Sequence, residues 1–178
     1  TVSTLHSIRL RELLMKMPYR AIALSVLALG FTAALLDKAR AGGAHYFAPV
    51  SDPVVKEECG SCHLAYPPSM LPVRSWERMM AGLPDHFGTD ASLEAKTAEH
   101  IRRYLSENAA DNGGRRYGAK LTRGVALSST PLRITELPQW MRKHRKVPAW
   151  EWTHKDVRTK ANCAACHTGA ERGYFEDD

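Results

Sequence analysis

The chain has 178 residues, of which 44% are hydrophobic, 25% charged and 8% aromatic, with a formal charge of +6. These proportions exclude wholesale disorder and leave room for one domain, or for two small ones whose shortage of large core side chains a bulky apolar cofactor would make good. Residues 1–41 carry six of the 25 basic and two of the 19 acidic residues, which leaves a net charge of only +2 for 42–178 and no indication of a nucleic-acid-binding face.

In chain order, the first feature is the leader at 1–41. After a cationic region, residues 21–36 (AIALSVLALGFTAALL) run without a charge, and Ala39-Arg40-Ala41 places small residues at the two positions a signal peptidase inspects. This is the pattern of an export signal cleaved before Gly42. The competing reading is a retained membrane anchor, although sixteen helical residues span only ~24 Å against a hydrocarbon core of ~30 Å. Both readings put the remainder outside the cytoplasm.

Residues 45–57 start loose and lead into ECGSCH, where Cys59, Cys62 and His63 form a Cys-x-x-Cys-His run. The proline-rich stretch 66–75 reads as a non-helical loop. A short helix over WERMMAGL follows, with Ser75 expected as its N-cap and Gly82 as its stop. The turn DHFGTDAS holds His86, and the clearest helix runs over 92–110, with Leu93, Ile101, Tyr104 and Leu105 on one face. The run DNGG at 111–114 breaks it and marks the expected boundary between a first lobe at 42–112 and a second at 113–178. The second lobe opens irregularly, continues with a helix over ITELPQWMRKHRK disturbed by Pro138, and reaches a second Cys-x-x-Cys-His run at Cys163, Cys166 and His167. No strand pattern persists long enough to argue for a sheet.

The two runs use every cysteine in the chain. Disulfides within Cys-x-x-Cys would close tiny loops and give the histidines no role. A zinc site would need the two halves much closer in sequence, and a redox Cys-x-x-Cys needs no following histidine. Covalent haem attachment employs every residue: each cysteine adds to one vinyl group, and the adjacent histidine becomes the proximal iron ligand. The expected cofactors are therefore two covalently bound haems c, in a mostly α, cytochrome c-like chain with two small haem lobes and much irregular loop.

The distal ligands must come from the remaining groups, the histidines His45, His86, His100, His144 and His154 and the methionines Met70, Met79, Met80 and Met141. Met79 and Met80 sit among apolar residues of a short helix, where methionine more often packs than ligates. Met70 is the serious thioether contender. His100 lies at the edge of an apolar helix face, where a packed or solvated role is the plainer reading. His86 lies 23 residues after His63, between two helices, with Leu83 and Phe87 able to wall a haem face. For the second haem both His144 and His154 are within reach of the iron. His144 has Trp140 and Met141 one turn back, but its basic neighbours also suit a solvated face; His154 occupies a more polar segment.

The runs DPVVKEECGSCHLAYPPSMLPVRSWERMMAGLPDHFG, ITELPQWMRKHRKVP and NCAACHTGAERGYF closely resemble the bacterial dihaem cytochrome c family of small periplasmic electron carriers, over roughly residues 50 to 176. The resemblance implies two bis-histidine, low-spin haems and favours His86 and His144 as the distal ligands. It also implies redox partners outside the cytoplasm: a membrane b-type cytochrome as donor and a small oxygen-binding monohaem cytochrome c as acceptor. Electron transfer without enzymatic activity is the expected function. A peroxidase-type or ligand-binding protein with one open iron is the alternative.

Overall fold

The computed structural model describes residues 45–112 and 116–175. The leader, including the apolar run 21–36, lies outside the described residues. Among those described, no helix is long and apolar enough to cross a membrane.

Among the described residues, five α-helices are joined by 3-10 turns and loops: α1 (Pro53–Gly60), α2 (Val73–Ala81), α3 (Ala95–Glu107), α4 (Arg116–Leu121) and α5 (Pro138–His144). Strand pairing among the described residues is confined to the isolated bridges Tyr46 with Tyr174 and His86 with Thr89. The fold is mostly α, as the sequence implies.

Several boundaries differ from expectation, and local hydrogen bonding explains why. The stretch before Cys59 is a helix because Asp52 caps it, its Oδ1 accepting from the backbone N–H groups of Val54 and Val55, with Pro53 at the first helical position. Ser75 is no cap: it is fully buried one turn inside α2, and its amide donates to Pro72 O. The proline-rich loop contains a 3-10 turn at Pro68–Met70. Pro138 does not disturb its helix but begins it, since its missing N–H falls where a helix has no acceptor to offer. Residues 116–121, expected to be irregular, form α4.

One apolar cluster, Val50, Val55, Leu71, Trp76, Ile101, Leu105, Ala109 and Leu137, draws on both halves of the sequence. Helices α2 and α3 are pinned by Glu77, which accepts from Arg102 and from Ser106 Oγ at 2.6 Å. Trp76 Nε1 donates to Pro68 O at 2.7 Å, satisfying its buried N–H. The described residues form one compact unit, and contacts cross the expected boundary at 111–114: Arg74 donates to Ala126 O and Ser129 O, and Tyr66 to Ala161 O.

The ends of this unit also meet. Phe47 N donates to Gly173 O at 2.8 Å, and Phe175 N to His45 O at 3.1 Å. Gly173 has φ +85°, and a Cβ there would lie 2.0 Å from Phe47 O, so only glycine permits the approach. Gly173→Ala should therefore cost about 2–3 kcal/mol in urea unfolding of the holoprotein, combining left-handed strain with displacement of residues 45–50.

Candidate haem-binding site

Helix α1 delivers the first cysteine pair. Cys59 lies in its last turn, half-buried against the core, where burial and then Glu58 raise its thiol pKa; Cys62 is exposed beyond the helix end. The helix is anchored from its start, because His100 Nε2 on α3 donates to Asp52 Oδ2 at 2.8 Å, the carboxylate that also caps α1. His100 thus has a structural contact of its own. His63 Nδ1 donates to Leu64 O at 2.8 Å, which leaves Nε2 as its acceptor nitrogen.

His86 is held by a tight turn. Its amide N–H donates to Thr89 O and its carbonyl oxygen accepts in return from Thr89 N, while Asp85 Oδ1 accepts from Gly88 N. Phe87 and Gly88 between them have φ of +56° and +92°, the pair of positive angles that a two-residue hairpin turn needs. A left-handed phenylalanine is strained, and the Arg133 guanidinium stacked 3.8 Å over its ring holds it. The product of this turn is a half-buried His86 ring lying 6.1 Å from that of His63, with planes 20° apart. Its Nδ1 is buried without a hydrogen-bond partner, and burial, then His63, then Arg133, hold its pKa below the ordinary histidine range.

The second pair is built by different means to a similar spacing. Cys163 opens a 3-10 turn, Cys163–Ala165, and His167 N donates back to Cys163 O at 2.9 Å. Burial pushes the Cys163 thiol up to about 11. Across from it, His144 ends α5, its Nδ1 donating to Trp140 O at 2.9 Å and its ring stacked on Trp140 at 4.1 Å. The His144 and His167 ring centres are again 6.1 Å apart, here with planes at 88°. A cavity of about 330 Å³ lies at this pair, walled by Trp140, Trp152, Phe47, Phe175 and Tyr117 together with Cys163 and Cys166.

The remaining candidates stand elsewhere. His154 is exposed, with Nδ1 3.6 Å from Asp156 and no place in the cavity wall. His45 lines that cavity at its Tyr117 side. Met70, the thioether contender, is buried and lines the second cavity. Met79 and Met80 pack against the core.

Comparison with known proteins accords with this arrangement. The family model described as dihaem cytochrome c matches residues 55–175. The chain belongs to that family. A diheme cytochrome c from Rhodobacter sphaeroides is 48% identical, with a TM-score of 0.64, 72% of this chain covered and 99% of that one. A diheme cytochrome type c from Shewanella baltica OS155 is 32% identical, with a TM-score of 0.56 over 70% of this chain and 86% of that one. Comparison with curated proteins gives no match.

A dihaem cytochrome c is a haem-based electron carrier, and its family implies two haems c. The residues present fit such a group. Two nitrogen–metal bonds of about 2 Å, with ring centres about 1 Å beyond each nitrogen, put facing imidazoles about 6 Å apart. Among the described residues no group of three or more His, Cys, Asp or Glu gathers as a metal site. Paired imidazoles with cysteines beside them suit an iron whose equatorial ligands come from a porphyrin.

Sequence reasoning missed the cavity wall supplied by Phe47 and Phe175, and no local signal could have found it, since each reaches the site only through the closure at Gly173. The turn at 86–89 is testable by itself. Nothing lies within 4 Å of a Cβ built on Gly88, so Gly88→Ala should cost only the backbone strain, about 1–2 kcal/mol in thermal unfolding of the holoprotein.

Proposed function

We propose that this dihaem cytochrome c carries electrons between redox partners in the periplasm through two closed, low-spin, bis-histidine irons. In this reading Cys59 and Cys62 attach the first haem and His63 and His86 bind its iron; Cys163 and Cys166 attach the second, with His167 and His144 as ligands. The observation that carries the reading is the pair of facing imidazoles, 6.1 Å apart at each site. The bound haems supply irons that alternate between the ferric and ferrous states.

The chain's own residues do the rest. Donation from Nδ1 to Leu64 O and Trp140 O fixes the tautomer of His63 and His144, so that Nε2 is the nitrogen presented for coordination. Those bonds also make each ring a better donor, which stabilises the ferric state. Trp140, Trp152, Phe47 and Phe175 exclude water at the second site. With His63 and His86 holding one iron and His167 and His144 the other, neither oxygen nor peroxide would have a place to bind, in keeping with a carrier. The family resemblance supplies the partners proposed: a membrane b-type cytochrome as donor and a small oxygen-binding monohaem cytochrome c as acceptor.

Replacing a true distal ligand opens one iron. His86→Ala and His144→Ala should each turn one haem high-spin and carbon monoxide-binding, while His45→Ala, His100→Ala and His154→Ala leave both closed. Carbon monoxide binding by the unaltered protein, or an unaltered spectrum in His144→Ala beside an open haem in His154→Ala, would overturn the ligation or reassign its second site.

Two further measurements follow from geometry. Potentiometric titration should place both haems in the low range of bis-histidine cytochromes, below histidine–methionine ones. Paramagnetic resonance of the oxidised protein should resolve two low-spin signals, one rhombic from the near-parallel rings and one strongly anisotropic from the perpendicular rings. A single signal type for both irons would contradict the ring angles.

A further inference from the structure

The two haem-attachment turns are joined by one side chain that the ligation scheme does not use. Tyr66 follows His63 by three residues, and its ring stacks on the His63 ring at 5.0 Å with planes 24° apart. Its hydroxyl donates to Ala161 O at 2.6 Å. The same carbonyl accepts from Cys163 N at 3.0 Å, and Cys163 is the first attachment cysteine of the second site. A short, nearly continuous connection therefore runs from the proximal imidazole of one site through an aromatic ring and two hydrogen bonds on one oxygen to the backbone that carries the thioether sulfur of the other.

The surroundings suit this role. Around Tyr66 lies a cleft of about 830 Å³ with Cys62, His63 and Tyr66 on one side and Ala161, Asn162 and Ala164 on the other. Across that cleft the Tyr66 hydroxyl makes a side-chain hydrogen bond that ties the two turns. Two rings at 5.0 Å and 24° restrict rotation of His63 about its own axis, so Tyr66 acts on the ligand plane as well as on the spacing.

We propose that Tyr66 is the positioning residue that couples the two haem sites, setting the His63 ring plane through stacking and the register of the Cys163 turn through Ala161. The inference rests on the bis-histidine reading above. The step it governs is a one-electron redistribution in which a ferrous iron at one site is oxidised and the ferric iron at the other is reduced, with no bond made or broken. No proton moves either. The Tyr66 hydroxyl donates to a backbone carbonyl, which takes no proton from it.

The test uses the holoprotein and two variants. Tyr66→Phe keeps the ring and removes only the hydroxyl; Tyr66→Leu removes both. Each is reduced by one electron per molecule with a light flash and frozen after increasing delays, and the two ferric low-spin signals are followed by paramagnetic resonance. For Tyr66→Phe the expected result is a several-fold slower approach to the same final distribution, with both resonance signals and both midpoint potentials as in the parent. Tyr66→Leu should be slower again and should also shift the first-site signal, because the ring that orients His63 is gone. An equilibration rate in Tyr66→Phe equal to that of the parent overturns the proposal, and it does so whether or not the leucine variant folds. A high-spin signal in the parent protein would instead remove the ligation on which the proposal stands, so the two failures are told apart by the unaltered protein alone.

Discussion

Two imidazoles about 6 Å apart, facing each other from segments distant in sequence, are the requirement that the rest of this chain is organised to meet. The separation recurs at 6.1 Å in both sites although the supporting structure has nothing in common. His86 stands on a two-residue hairpin turn with a strained phenylalanine; His144 stands at the end of a helix, stacked on a tryptophan. In the proposed ligation, Cys-x-x-Cys-His would place one histidine beside its haem by sequence alone, and the fold would have to place the other.

The scaffold does this with few side chains. Val55, Leu71, Ile101 and Leu137 are almost completely buried, but the cluster they belong to is small for a unit of this length. Directional contacts therefore carry much of the arrangement: Asp52 serves at once as the cap of α1 and as the acceptor for His100, and Glu77 ties α2 to α3. The second site depends on closure of the two ends of the described unit through Gly173, where the absent Cβ lets Phe47 reach the last residues. Apolar cofactor faces against Phe47, Trp140 and Trp152 would add the burial that a small core lacks.

The sites differ in ways that bear on electron distribution. One has near-parallel rings and a His86 Nδ1 buried without an acceptor; the other has perpendicular rings and a His144 Nδ1 that donates to Trp140 O. Ligand basicity and ring orientation both tune an iron, so a chain with two chemically identical attachment motifs presents two inequivalent environments.

The sequence by itself pointed to haem attachment, because Cys-x-x-Cys-His places its groups within five residues and needs no distant part of the chain to be read. It also revealed the helix over Ile101 and Leu105, whose period of burial is local. The helix start at Pro138 was misread for a local reason: proline was taken as a disturbance where a first helical position made it an initiator. Only the tertiary structure decided that His144 faces His167 while His154 does not, that Met70 walls the second cavity, and that Phe47 closes it. Those outcomes depend on contacts between residues far apart in sequence, where side-chain type and spacing leave several partners equally reachable and only the packed chain selects one.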